Sequence, residues 1–173
     1  MMRAVSLAVV IEASEGTMRP GVIASLCLLL CSCAGKGPMN DYKKDVTIWY
    51  DAFNTKDPRL VDRILSEHWV DIPAAPGQPP GREGMKHLIV QLTTSFPDLK
   101  VTNEEILQEG NKVIVRSQLT GTQRGDFVGL APKNRALNIM AIDIHEFRDG
   151  KIVYTWHTED WLTGLHQLGA FEK

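Results

Sequence analysis

Near the C-terminus the stretch GKIVYTWHTEDWLTGLHQLGAF, Gly150 to Phe171, sets Trp156, His157, Glu159 and Asp160 close together at the end of a strand-like run. A histidine titrates near pH 6.5 when unperturbed, so His157 can accept and return a proton at neutral pH. A neighbouring carboxylate would raise that pKa and orient the ring. The grouping therefore suits proton transfer; it also suits the polar rim of a packed sheet, with Asp160 placed to cap the turn before Trp161. Tyr154 and Trp156 stand at strand spacing and read as packing or pocket wall. Trp69, with His68, precedes a proline-rich stretch and is a candidate for a pocket mouth. His87 and His166 lie on helical stretches and read as surface or interface. The histidines show no pair one turn apart with a glutamate, so no metal site is expected.

Other chemistries are excluded by where the cysteines fall. Cys27, Cys31 and Cys33 are the three in the chain, and all lie in the N-terminal segment. That segment, MRPGVIASLCLLLCSCAGKG, has one positive charge at Arg19 and an apolar run from Val22 to Leu30, broken by Ser25. The run is too short to span a bilayer, which takes roughly 20 apolar residues, and has the length of a secretory core. Leu30 followed by two small residues and a cysteine resembles a bacterial lipobox, with Cys33 as the residue to be lipidated. Residues 1–33 are thus expected to be an upstream stretch and a lipoprotein-type signal peptide, and 34–40 a short tether. The expected address is the bacterial cell envelope, lipid-anchored on its extracytoplasmic side. The remainder then has no disulfide framework and no catalytic thiol.

Residues 41–173 have the length of one domain and can bury a core without staples. Lys plus Arg number 19 against 21 Asp plus Glu, with no basic run, which argues against a nucleic-acid partner. Tyr42, Val46, Trp49 and Phe53 recur at helical spacing, predicting a helix over Asp41–Phe53 with Asn40 or Asp41 as cap. NTKDPRLVDRILSEHW restarts helix at Pro58, with Leu60, Ile64 and Leu65 inward. DIPAAPGQPPG is a loop, because four prolines remove donors and fix φ. A third helix is expected over Arg82–Ser95, with Met85, Leu88, Ile89 and Leu92 on one side. After Pro97 the period becomes two: strands flank a turn at Glu109–Asn111, and two more flank Asp149–Gly150. Along Ala136–Phe147 both faces are apolar, Leu137, Ile139, Ala141 and Phe147 on one side and Met140, Ile142 and Ile144 on the other. A sheet covered on one face alternates polar and apolar, so helices on one side and a lined cavity or partner subunit on the other are expected. Helices first, then an antiparallel meander, define an α+β class.

Over roughly Asp41–Phe171 the chain resembles the SnoaL-like polyketide cyclase family of the nuclear transport factor 2-like superfamily. The resemblance is carried by PGREGMKHLIVQLTTSFPDLKV, GTQRGDFVGLAPKNR and FRDGKIVYTWHTEDWLTGLHQLG. It implies a cone-shaped α+β barrel, N-terminal helices packed on a strongly curved antiparallel sheet around a pocket. It further implies cofactor-free chemistry on a small apolar carbonyl-type ligand, by proton abstraction beside the carbonyl, and a homodimer through the outer sheet face. Counted from the shared Gly–Lys–Ile, the family's acid/base aspartate falls on His157, a histidine partner on Asp143 and a second histidine on Gln123. The broader family's tryptophan and distal aspartate fall on Trp156 and Asp160. The implied roles are His157 as base, Asp143 or Asp160 as its partner, and Gln123 as donor to the ligand oxygen, with Trp69, Trp156 and Tyr154 around the ligand. A non-catalytic ligand-binding or assembly module of the envelope is the rival reading, favoured by those three departures. The hairpin decides whether Asp143 meets His157: a two-residue Asp149–Gly150 loop places them on opposite faces, and a three-residue loop with a bulge places them on one.

Overall fold

The computed structural model describes residues 40–172. The expectations of processing, of lipid on Cys33 and of a tether fall on residues outside these, save Asn40. Element order is α1 (Thr47–Asn54), a 3-10 turn (Pro58–Leu60), α2 (Val61–Ile64), β1 (Leu65–Ile72), α3 (Gly81–Ser95), β2 (Lys100–Glu109), β3 (Lys112–Thr122), β4 (Ala136–Arg148), β5 (Lys151–Glu159) and α4 (Trp161–Gln167). The sheet runs β1-β5-β4-β3-β2. Strands β2 to β5 form the expected antiparallel meander, and β1 joins the edge of β5 in parallel.

The apolar spacing of the first segment holds, since Tyr42, Val46, Trp49 and Phe53 are all buried. The α-helix itself begins only at Thr47, after a run of turns, and Val46 offers it no side-chain cap. Tyr42 instead stacks on Phe147, ring centroids 4.3 Å apart, which pins the turn to the sheet. The second segment departs further. The sequence pattern predicts helix through Trp69, yet the helix stops at Ile64 and Leu65–Ile72 is a strand. Leu65 and Trp69, four residues apart, are both buried, a spacing that fits either period. Pairing with β5, Leu65 opposite Ile152 and Val70 opposite Tyr154, decides for strand.

Inner-face residues Val113, Val115, Leu119, Leu137, Ile139, Ala141, Phe147 and Ile152 are buried in one core with α1 and α3. On the opposite face Met140 is exposed and Ile142 and Ile144 are half-buried. The β4–β5 turn uses two residues, Asp149 and Gly150, both with positive φ (50° and 75°), as the twist of a tight hairpin requires. Phe147 opposes Ile152, but the next pair is Glu146 with Tyr154, leaving Val153 as a bulge. From there Asp143 pairs directly with His157. The short loop is therefore kept, and a bulge in the strand rather than in the loop brings the two onto one face.

Helix α3 holds the proline-rich loop against this sheet. Gly84 faces Pro79 so closely that an added Cβ would overlap its carbonyl oxygen. Glycine-to-alanine inside a helix ordinarily stabilises by about 1 kcal/mol. Here Gly84→Ala is expected to do the reverse, costing about 1–3 kcal/mol through overpacking, as measured by urea unfolding.

Candidate active site

Between the inner face of the sheet and helices α1, α3 and α4 lies a cavity of about 790 Å³. Trp49, Phe53, Met85, Leu119, Phe127 and Trp161 supply much of its apolar wall, and Asp71, Ser117, Asp143, His157 and Glu159 its polar part. A largely apolar concavity with a few convergent polar groups is the usual form of a small-molecule site.

The polar groups come from neighbouring strands. Asp143 (β4) and His157 (β5) are cross-strand partners, and Glu159 follows two residues on, on the same face. Asp71 reaches them from β1, whose Asp71 pairs with Thr155. His157 Nδ1 lies 2.9 Å from Glu159 Oε1, and Nε2 lies 3.0 Å from the Pro73 carbonyl oxygen and 3.1 Å from Asp71 Oδ1. Gln78 Nε2 donates to the other oxygen of Asp71 at 2.9 Å, so the proline-rich loop fixes this carboxylate.

Burial disfavours a charged imidazole, but the Asp71 and Glu159 carboxylates beside it outweigh this and carry the His157 pKa up to about 10. At neutral pH His157 is an imidazolium with both N–H groups engaged, and it has no free lone pair for a substrate proton. Asp143 behaves oppositely. Burial pushes its carboxyl up to about 7, with Glu159 and Asp71 adding to the rise, while the Tyr50 hydroxyl, donating to Asp143 Oδ2 at 2.8 Å, and the His157 charge oppose it. The group able to take a proton near neutrality is therefore Asp143. Donor atoms of Asp143, His157 and Glu159 lie within 4.8 Å of one another; with His157 protonated, the cluster is held by ion pairing.

Other expected site residues lie elsewhere. Asp160 caps α4, its Oδ1 accepting from the Thr163 N–H at 3.1 Å, and does not line the cavity. Gln123 is fully buried and donates through Nε2 to the carbonyls of Gly125 and Leu130, which staples the β3–β4 loop. It is not a donor into the cavity, because its amide is consumed by the loop. Tyr154 and Trp156 stack on each other with centroids 5.7 Å apart, Arg148 and Lys112 lying over them. They alternate with the inward Thr155 and His157, so they sit on the convex face rather than around a ligand. Trp69 is buried, its Nε1 donating to Thr155 Oγ1 at 2.9 Å, and His68 is exposed.

Tyr50, Asp71, His145 and Ser117 are site groups that no sequence motif singles out. Strand parity could have found two of them: His145 shares the face of Leu137, Ile139, Ala141 and Asp143, and Ser117 that of Val113, Val115 and Leu119. Ser117 is buried, lines the cavity, and its Oγ has no partner among the described residues.

Comparison with known proteins agrees with this architecture. The family model for the SnoaL-like polyketide cyclase matches residues 44–168. The chain belongs to that family. Among solved structures it is similar to TsrD of Streptomyces laurentii, at 30% identity and a TM-score of 0.70, covering 74% of this chain and 94% of that one. It is similar too to IdmH of Streptomyces antibioticus, provisionally assigned as a polyketide cyclase, at 30% identity and a TM-score of 0.66, covering 75% and 99%. AclR of Streptomyces galilaeus, provisionally assigned as a hydroxylase, shares the fold at 24% identity and a TM-score of 0.67, covering 78% and 89%. No curated protein matches.

The cluster makes stability depend on pH. The folded chain holds the His157 proton up to about pH 10 against 6.5 for a free histidine, and the Asp143 proton up to about 7 against 3.8. Both contributions are lost as pH rises through the folded values. His145, fully buried, is pushed down to about 3 by burial and by the His157 charge, so its contribution is lost as pH falls. The Asp143 and His145 slopes oppose each other in acid. Above pH 6.5 stability should fall steadily toward pH 10, and His157→Gln should flatten that fall in thermal melts.

Proposed function

We propose that the chain binds a small apolar carbonyl compound in this cavity and removes a proton from the carbon beside its carbonyl, without a cofactor, as an isomerase or cyclase does. The observation that carries this reading is the buried Asp143 carboxyl, titrating at about 7 against an imidazolium and facing a cavity large enough for the ligand. Asp143 takes the proton, the C–H electron pair becomes the enolate double bond, and negative charge moves to the carbonyl oxygen. His157 contributes positive charge rather than base strength. A Brønsted base with a pKa near the working pH is the most effective one.

The unpartnered Ser117 hydroxyl is the donor available to the developing oxyanion. Ser117 pairs with Ala141, two residues before Asp143 on the same face, a diagonal spacing of about 7–8 Å. A carbonyl oxygen and its α-carbon bridge that span, one end to Ser117 and the other to Asp143. Such preorganised donors supply a large share of enolate stabilisation. A cyclase closes a ring from the same enolate, and the reading covers either outcome.

The convex face supports a second proposal, that two copies pair across it. Val70, Ile72 and Met140 are exposed there beside the half-buried Ile142, Ile144 and Trp156. Residues 34–173 should scatter light as a dimer, and Met140→Glu should give a monomer; a monomeric parent would overturn this pairing.

The catalytic reading is tested by hydrogen–deuterium exchange at the α-carbon of 2-tetralone, followed by proton NMR. Exchange should accelerate as pH rises through about 7 and decline toward about 10, as Asp143 ionises and His157 then loses its charge. Asp143→Asn should lower the enzymatic rate about 10²–10⁴-fold. Binding without acceleration would leave a ligand-binding module.

A further inference from the structure

From Asp143 a chain of hydrogen bonds runs through Tyr50, itself at the cavity wall, into the core. The Tyr50 hydroxyl lies 2.8 Å from Asp143 Oδ2 and 3.1 Å from His145 Nε2. His145 Nδ1 lies 3.0 Å from Thr155 Oγ1, which accepts from Trp69 Nε1–H at 2.9 Å. Tyr50, His145, Thr155 and Trp69 are all at most 3% exposed. They come from α1, β4, β5 and β1, so the chain ties four elements to one carboxyl.

One polarity links every group of this chain in a single direction. An indole N–H only donates, so Thr155 Oγ1 accepts from Trp69, and its own proton is free to go to His145 Nδ1. A neutral imidazole accepting at Nδ1 carries its hydrogen on Nε2 and donates it to the Tyr50 oxygen. Tyr50 is then left with one direction for its proton, toward Asp143. Burial holds His145 neutral and keeps the Tyr50 phenol well above its usual pKa, so neither breaks the sequence by ionising.

We propose that Trp69, Thr155, His145 and Tyr50 are a one-way positioning relay, which sets the orientation and proton affinity of the Asp143 carboxyl. The inference rests on the reading of Asp143 as the proton-handling group. The relay is not a proton conduit, because it ends at an indole that does not release its hydrogen. Protons reach and leave Asp143 on the cavity side. From the other packed elements the titratable groups facing Asp143 are His157 and Glu159 on β5 and Asp71 on β1; its β3 neighbour, Val115, is uncharged. Polarised hydrogen-bond chains of this kind strengthen one another in a low-dielectric interior.

Both readouts of the test use ligand-free protein, so they stand apart from turnover: ¹⁵N NMR of the His145 ring and ¹³C NMR titration of the Asp143 carboxyl. In the wild type His145 should remain neutral with its hydrogen on Nε2 between about pH 5 and 8. Tyr50→Phe removes the donor that lowers the Asp143 midpoint, which should rise from about 7 by about one pH unit, a tenfold gain in proton affinity. Thr155→Val should reduce the Nε2–H form and raise the Asp143 midpoint less, and Thr155→Ser should restore both. A wild-type His145 with its hydrogen on Nδ1 would overturn the polarity. An Asp143 midpoint unmoved in both Tyr50→Phe and Thr155→Val would overturn the relay. If Tyr50→Phe does not fold, the wild-type tautomer and the Thr155 pair decide. Loss of tetralone exchange in a protein that keeps these NMR signatures would fault the catalytic reading alone.

Discussion

Everything at the polar end of the cavity depends on the register between β4 and β5. The two-residue turn at Asp149–Gly150 alone would send Asp143 and His157 to opposite faces. Val153, left unpaired, adds one residue to β5 and rotates the rest of that strand by one side-chain step. Because the side-chain period of a strand is two, that step decides whether Thr155, His157 and Glu159 meet the cavity or the convex surface. It also sends Tyr154 and Trp156 outward, where Arg148 and Lys112 cover them. One bulge thus creates the charged cluster and removes two aromatics from it.

Within that register the electrostatics follow from counting. One imidazolium stands between Asp71 and Glu159, which already give an excess of negative charge before Asp143 ionises. A third carboxylate in a buried site is disfavoured by desolvation and by its neighbours, so the proton that would be lost first in water is retained. The roles of base and charge partner are therefore exchanged relative to what the residue types alone suggest. His157, the obvious base, is fixed in its protonated form by its two carboxylates, and Asp143 becomes the group that titrates near neutrality.

The helices serve this arrangement as supports. Helix α1 delivers Trp49 to the wall and Tyr50 to Asp143. Helix α3 presses Gly84 onto the proline-rich loop, and that loop returns the Pro73 carbonyl and Gln78 amide to the His157–Asp71 pair. Asp160 and Gln123 are consumed in holding α4 and the β3–β4 loop. Polar side chains near a site are as often spent on backbone groups as on chemistry, since each buried N–H or carbonyl left unpaired carries a cost.

The amino-acid sequence by itself determined the α+β class, the four strands of the meander, the apolar stripe of the first helical segment and the family. Those features rest on local periodicity and on turn residues such as Asp149–Gly150, whose preferences act within a few neighbours. It left β1 hidden, because Leu65 and Trp69, four residues apart, satisfy a helical and a strand period alike and only pairing with β5 separates them. It also left open the face shared by Asp143 and His157, and it passed over Tyr50, His145 and Asp71 as site groups. These were decided by the tertiary structure, because a bulge position, a buried hydrogen-bond chain and a raised carboxyl pKa arise from groups distant in the chain. Periodicity reports which way a side chain points along its own strand; only packing reports what it then meets.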